Sequence, residues 1–128
     1  MTCFVYMLAC GDGTLYTGWT PDLARRLQAH RTGKGAKYTR GRGPLTLAYT
    51  QCFATKSEAL RREAQLKALT RAEKLALCAP FQQAVKALEA AGEQEALALL
   101  EHGARPEQID EHQIRLISPA GEERQFFV

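Results

Sequence analysis

The sequence predicts an α+β protein: three short strands flanked by helices, then a C-terminal extension of two helices and a β-hairpin. Two observations carry this. Residues 2–53 contain three runs rich in aromatic and β-branched residues with strand-like alternation. From residue 55 onward, apolar positions instead recur at helical spacing behind two capping boxes.

Thr2–Cys10 reads as the first strand, Gly11-Asp12-Gly13 as a turn, and Thr14–Gly18 as a short returning strand. Thr20-Pro21 opens a helix, with Thr20 as N-cap and the proline at the first helical position, where its missing N–H costs nothing. That helix runs to about Arg31 and stops before Gly33. Residues 33–44 form a glycine-rich basic loop, and Leu45–Phe53 is the third strand. Thr55-x-x-Glu58 caps a helix running through Leu69, and Thr70-x-x-Glu73 caps a short one ending near Cys78. Pro80 then marks the boundary between a domain of residues 1–80 and an extension of residues 81–128. In the extension, Phe81–Ala91 and Glu93–His102 read as amphipathic helices broken at Gly92. Residues 103–108 read as loop, and His112–Ser118 with Glu122–Val128 as a terminal hairpin.

Charge divides the chain at the same place. The formal net charge is +3, but residues 1–80 carry a net +8 and residues 81–128 a net −5. The first segment therefore suits a polyanion, and the second suits a different job. No apolar run approaches the ~20 residues that span a bilayer, so no membrane role is expected. Cys3–Cys10 lacks a basic leader and carries strand alternation, so it is read as structure. The four cysteines (Cys3, Cys10, Cys52, Cys78) have neither zinc-like spacing nor a C-x-x-C pair. They read as buried reduced thiols of a cytoplasmic protein.

Several side chains interrupt these patterns. If Cys10 and Thr14 flank a three-residue turn, Tyr16 lies opposite Leu8 and Gly18 opposite Tyr6, so both phenols share one face. Gly18 then leaves space beside Tyr6. Arg26 and His30 are i,i+4 neighbours on one side of their helix, with Leu23 and Leu27 nearby, while Arg25 points elsewhere, toward solvent or backbone phosphate. Glu63 breaks the apolar face made by Ala59, Leu60 and Leu66. A carboxylate there must be paired, with Arg26, Arg61 or a nearby lysine, or must coordinate a cation. In the loop, Lys34, Lys37, Arg40 and Arg42 alternate with glycines and Tyr38, which suits phosphate contact together with base or sugar stacking. Taken singly, each residue also has an ordinary structural account: tyrosines packing in a sheet, or an ion-paired glutamate.

Together these residues resemble the GIY-YIG nuclease superfamily, in particular its small stand-alone YhbQ-like group. Phe4-Val5-Tyr6 is similar to the first motif and Tyr16-Thr17-Gly18 to the second. Asp22 through Arg26 to His30 is similar to the family's Arg-x-x-x-His helix, and Leu60–Ala64 to the helix bearing its metal-binding glutamate. The resemblance covers about residues 2–78. It departs at Phe4, where the first motif usually has glycine, and at Thr17, where an aliphatic residue is usual. The late asparagine of some members has no counterpart.

The resemblance implies a small mixed or antiparallel three-stranded sheet with helices around it. It implies a divalent-metal-dependent endonuclease acting on DNA or on RNA, with structure-selective cleavage in repair or recombination among the roles it allows, and with Tyr6, Tyr16, Arg26, His30 and Glu63 as the catalytic set. Glu63 would hold one Mg²⁺, or Mn²⁺ in its place. Arg26 would neutralise charge on the phosphate, and one of the two phenols would act on the attacking water. An ordinary phenol is a poor base near neutral pH, so the cation and Arg26 are expected to lower its pKa. Lys34, Lys37, Tyr38, Arg40, Arg42 and Arg25 would contact nucleic acid. Two other readings compete with this one. The first is a noncatalytic nucleic-acid-binding module. The second is an interaction protein working through residues 81–128, whose acidic character suits either a protein partner or an intramolecular contact with the basic surface.

Overall fold

The structure is a computed structural model, and it describes residues 2–128. Strands β1 (Cys3–Ala9), β2 (Leu15–Thr20) and β3 (Thr46–Phe53) form an antiparallel sheet in the order β2-β1-β3. Helices α1 (Leu23–Arg31), α2 (Lys56–Lys67), α3 (Arg71–Ala90) and α4 (Gln94–Glu101) pack around it. A second antiparallel sheet follows, made of β4 (Arg105–Asp110), β5 (Gln113–Ile117) and β6 (Glu123–Phe127). The architecture is the expected α+β arrangement.

Because β1 is the central strand, both its faces are buried. Phe4, Tyr6 and Leu8 enter one core with Leu23 and Leu27 of α1, Leu88 of α3, Leu100 of α4 and Ile114 of β5. Cys3, Val5 and Met7 enter the other with Ala59 and Leu66 of α2 and Cys78 of α3. The predicted register holds: Tyr16 pairs with Leu8 and Gly18 with Tyr6. On the other side of β1 a bulge between Met7 and Leu8 shifts its register against β3.

The structure corrects four local expectations. Thr20 does not cap α1. It remains paired with Phe4 in the sheet, and Asp22 caps instead, its Oδ1 accepting from the Arg25 N–H at 3.2 Å. The short helix expected to end near Cys78 runs on through an exposed Pro80 to Ala90. Its continuation buries Phe81, Ala84 and Leu88, and that burial outweighs the hydrogen bond a mid-helix proline loses. Residues 103–108 are mostly not a loop, because β4 adds a third strand to the predicted hairpin. It eluded a pattern reading because it contains Pro106 and has no buried side chain, as befits an edge strand. Finally, Cys52 is exposed although the other three thiols are buried, and all four are unbonded.

Thr17 carries a cost. Its partner Met7 faces the α2 side of the sheet, and its own hydroxyl is buried with no hydrogen-bond partner among the described residues. A hydroxyl removed from water without compensation costs about 1–3 kcal/mol. Thr17→Val keeps the shape and the β-branch while removing that hydroxyl. It should raise the unfolding free energy by about 1 kcal/mol in urea titration with an unchanged m-value.

Candidate active site

Side chains from three elements meet on the face of the sheet that carries Tyr6. From β1, Tyr6 projects into the core with no solvent exposure. From β2, Tyr16 comes to the same side, its ring centroid 6.3 Å from that of Tyr6. Gly18, opposite Tyr6, is required by this approach: a Cβ there would lie 2.7 Å from the Tyr6 hydroxyl and 3.0 Å from the Tyr16 ring. From α1, His30 packs edge-on against both phenols at 5.7 and 5.3 Å. The Tyr6 oxygen lies 2.7 Å from His30 Nε2, and Arg26 Nε donates to it at 3.4 Å. The i,i+4 spacing on α1 thus brings a fixed cation and an imidazole to one phenol.

The electrostatics follow from burial. Burial is the main cause pushing the Tyr6 phenol up to about 12, with Tyr16 and Glu63 adding to the rise and Arg26 opposing it. The expected lowering of a phenol pKa is therefore reversed at Tyr6, because desolvation outweighs the bond from Arg26. Burial, with help from the Arg26 charge, pulls His30 down to about 4, so the imidazole is neutral near pH 7. Tyr6, in turn, holds the Arg26 guanidinium more firmly protonated.

Glu63 sits on α2, and its helix neighbours Ala59 and Leu66 pack against the opposite face of the sheet. Its carboxylate is largely buried and pairs with Lys67 across one turn, at 3.6 Å. No hydrogen bond joins it to the other four residues, among the described residues, yet its charge reaches Tyr6. Among the described residues no three acidic, histidine or cysteine side chains cluster as a metal cage. A cation at Glu63 would therefore have one protein carboxylate and otherwise water and phosphate oxygens. That donor set suits Mg²⁺, which gives up its waters reluctantly.

The basic loop forms the wall beside this cluster. Tyr38, 43% exposed, stacks on Tyr16 at 5.8 Å, and the Arg42 guanidinium lies 4.4 Å above the Tyr38 ring. Arg42 is ion-paired with Asp12, and Arg31 with Glu101 of α4. Arg25, Lys34, Lys37 and Arg40 are exposed and make no ion pair among the described residues. Sequence reading overlooked Asp12, Gly35 and Thr39. Thr39, buried in the 3₁₀ turn Lys37–Thr39, hydrogen-bonds His30 Nδ1 at 2.9 Å. A Cβ at Gly35 would collide with the His30 ring. The close run of glycines around Thr39 was the available signal that this loop packs tightly on something.

Comparison with known proteins identifies the family. The family described as "GIY-YIG catalytic domain" matches residues 2–76, and the chain belongs to that family. Membership implies nuclease chemistry on a nucleic-acid substrate. The UPF0213 protein VNG_2274C of Halobacterium salinarum is 58% identical over 73 residues, which is 57% of this chain and 95% of the relative. The UPF0213 protein OB0043 of Oceanobacillus iheyensis is 57% identical over 74 residues, 58% of this chain and 86% of the relative. These are the stand-alone YhbQ-like proteins. The solution structure of the UPF0213 protein BH0048 from Bacillus halodurans matches 62% of this chain and 84% of its own, at 51% identity and a TM-score of 0.42. No helix among the described residues is long and apolar enough to cross a membrane.

The lowered His30 value makes stability depend on pH. The unfolded imidazole takes a proton near pH 6.5 and the folded one only near 4. The stabilisation is complete above about 6.5 and is lost as pH falls through about 4. Denaturant titration should find the protein about 2 kcal/mol less stable at about pH 5 than at about pH 8. His30→Gln should flatten that slope.

Proposed function

We propose that this protein is a divalent-metal-dependent endonuclease that hydrolyses phosphodiester bonds in DNA. The observation that supports it best is the Tyr6 hydroxyl, buried yet within hydrogen-bond reach of both Arg26 and His30. A phenol that merely packed in a sheet would need one partner, and neither a guanidinium nor a neutral imidazole would need burying beside it. Arg25, Lys34, Lys37 and Arg40, exposed and without an ion pair among the described residues, surround the site with positive charge suited to a phosphate backbone.

In this reading Arg26 faces the scissile phosphate and stabilises charge on its non-bridging oxygens as the attacking water adds. Bulk water does not reach Tyr6 in the free protein, so in this reading substrate binding opens the site to the attacking water. Tyr6 then takes its proton while passing its own to His30 Nε2, and the phenol never has to ionise freely. An arriving phosphate raises the proton affinity of the imidazole, because a nearby anion favours the charged form. Tyr16 orders the aromatic wall between His30 and Tyr38. Glu63 would hold a single Mg²⁺, or Mn²⁺ in its place. Such an ion would supply Lewis-acid polarisation of the phosphate and stabilisation of the leaving oxygen. Tyr38 would stack on an unpaired base or on sugar, and the loop cations would set affinity without reading sequence. Branched, flapped and single-stranded DNA are the preferred substrates of this reading, in repair or recombination within the cytoplasm. Residues 81–128 would serve chiefly as an additional layer completing the core of a 1–80 nuclease domain.

Labelled duplex, flap and single-stranded DNA, incubated with and without Mg²⁺ or Mn²⁺, test this directly. Cleavage should require the metal. Glu63→Ala should abolish it while affinity in anisotropy titrations changes little. Arg26→Ala should cost about 100-fold in kcat and much less in affinity. Lys37→Ala and Arg40→Ala should each weaken binding and reduce its salt slope by about one. Identical behaviour of wild type and Glu63→Ala on every substrate would sink the catalytic reading and leave a binding module.

A further inference from the structure

We propose that Thr39, the buried residue of the basic loop, is a positioning residue that fixes the tautomer of His30 and thereby keeps Nε2 open to the Tyr6 proton. The catalytic consequence rests on the nuclease reading above, whereas the tautomer follows from hydrogen-bond inventory alone.

The chain of donors has only one consistent direction. Thr39 Oγ1 lies 2.9 Å from the Ala36 carbonyl oxygen, which can only accept, so the hydroxyl proton points there. A hydroxyl has one proton, and Oγ1 can therefore only accept from His30 Nδ1, 2.9 Å away. Nδ1 carries the imidazole proton, and in the neutral ring Nε2 is then bare. The Tyr6 hydroxyl, 2.7 Å from Nε2, must donate to it, while Arg26 Nε donates to the phenol oxygen from another side.

The opposite arrangement fails a simple count. With Nε2 protonated, the Tyr6 oxygen would receive donors from both Arg26 and His30, and its own proton would need a further acceptor in a site with no solvent exposure at that residue. His30 and Thr39 are each 2% exposed, so bulk water does not compete for these bonds. Gly35 holds the arrangement from above, because its missing side chain lets the loop backbone press on the imidazole. The Thr39 backbone N–H also bonds the Ala36 carbonyl, so the turn that places the hydroxyl is itself hydrogen-bonded.

The loop that presents Lys37, Tyr38 and Arg40 to solvent thus anchors its one buried side chain on the catalytic imidazole. Contact with nucleic acid and the proton path through Tyr6 are joined at residue 39.

Long-range ¹H–¹⁵N correlation of the imidazole in ¹⁵N-labelled protein near pH 7 reads the tautomer without any substrate. The wild type should show a pyrrole-type Nδ1 and a pyridine-type Nε2 at His30. Thr39→Val removes the acceptor and should convert the ring wholly or partly to the Nε2–H form. Thr39→Ser should retain the wild-type pattern. On DNA, Thr39→Val should lower kcat by about 10- to 100-fold with affinity nearly unchanged, and Thr39→Ser should restore it to within a few-fold. A wild-type spectrum with Nε2 protonated overturns the proposal even if no variant can be purified. So does a Thr39→Val spectrum that keeps the wild-type tautomer. A protein that cleaves nothing but shows the predicted spectra would refute the nuclease reading and leave the positioning of His30 by Thr39 intact.

Discussion

The pairing of Tyr6 with Gly18 across β1 and β2 is the constraint on which the rest of the site depends. It places a full phenol on the buried face of a central strand and leaves the facing position without a side chain. A hydroxyl so placed has no access to bulk water in the free protein, and the surrounding structure must satisfy it. Arg26 and His30 do so from a helix whose neighbouring buried residues, Leu23 and Leu27, are apolar. A one-residue slip would turn Tyr6 toward α2, away from both partners, and dismantle the site without changing a single residue.

Burial then sets the chemistry. The same desolvation that raises the Tyr6 pKa lowers that of His30, so phenol and imidazole are both neutral and sit in contact as proton donor and acceptor. Arg26 remains the fixed charge beside them. Glu63 stands apart on the α2 side, reaching this group through its field and through no direct bond. Positive and negative charge are therefore separated around the phenol.

The acidic extension is built into this framework. Phe4 and Leu8 of the first strand share a core with Leu88, Leu100, Ile114 and Phe126, and α3 carries the chain across residue 80 without interruption. Among the described residues, Arg31–Glu101 is the one ion pair linking the basic segment to the acidic one. Most of the loop cations thus keep their charge facing solvent. The negative balance of residues 81–128 sits largely elsewhere, part of it in pairs with Arg105, Arg115 and Arg124.

By itself the sequence determined the three strands, the turn at residues 11–13 and the N-caps at Thr55 and Thr70. Each of these is written in local spacing: a period of two, a period of 3.6, or a cap three residues from its partner. Parity even settled which way the tyrosines face. Tertiary structure decided the rest. Pro80 stays inside a helix because distant core residues reward its continuation, and β4 pairs through backbone groups that leave no pattern in side chains. Whether Arg26 or burial governs Tyr6 was a contest of magnitudes that only the depth of the residue could resolve. Thr39 was invisible for the same reason: among five basic neighbours it looked like filler, and only the folded loop shows its hydroxyl against His30.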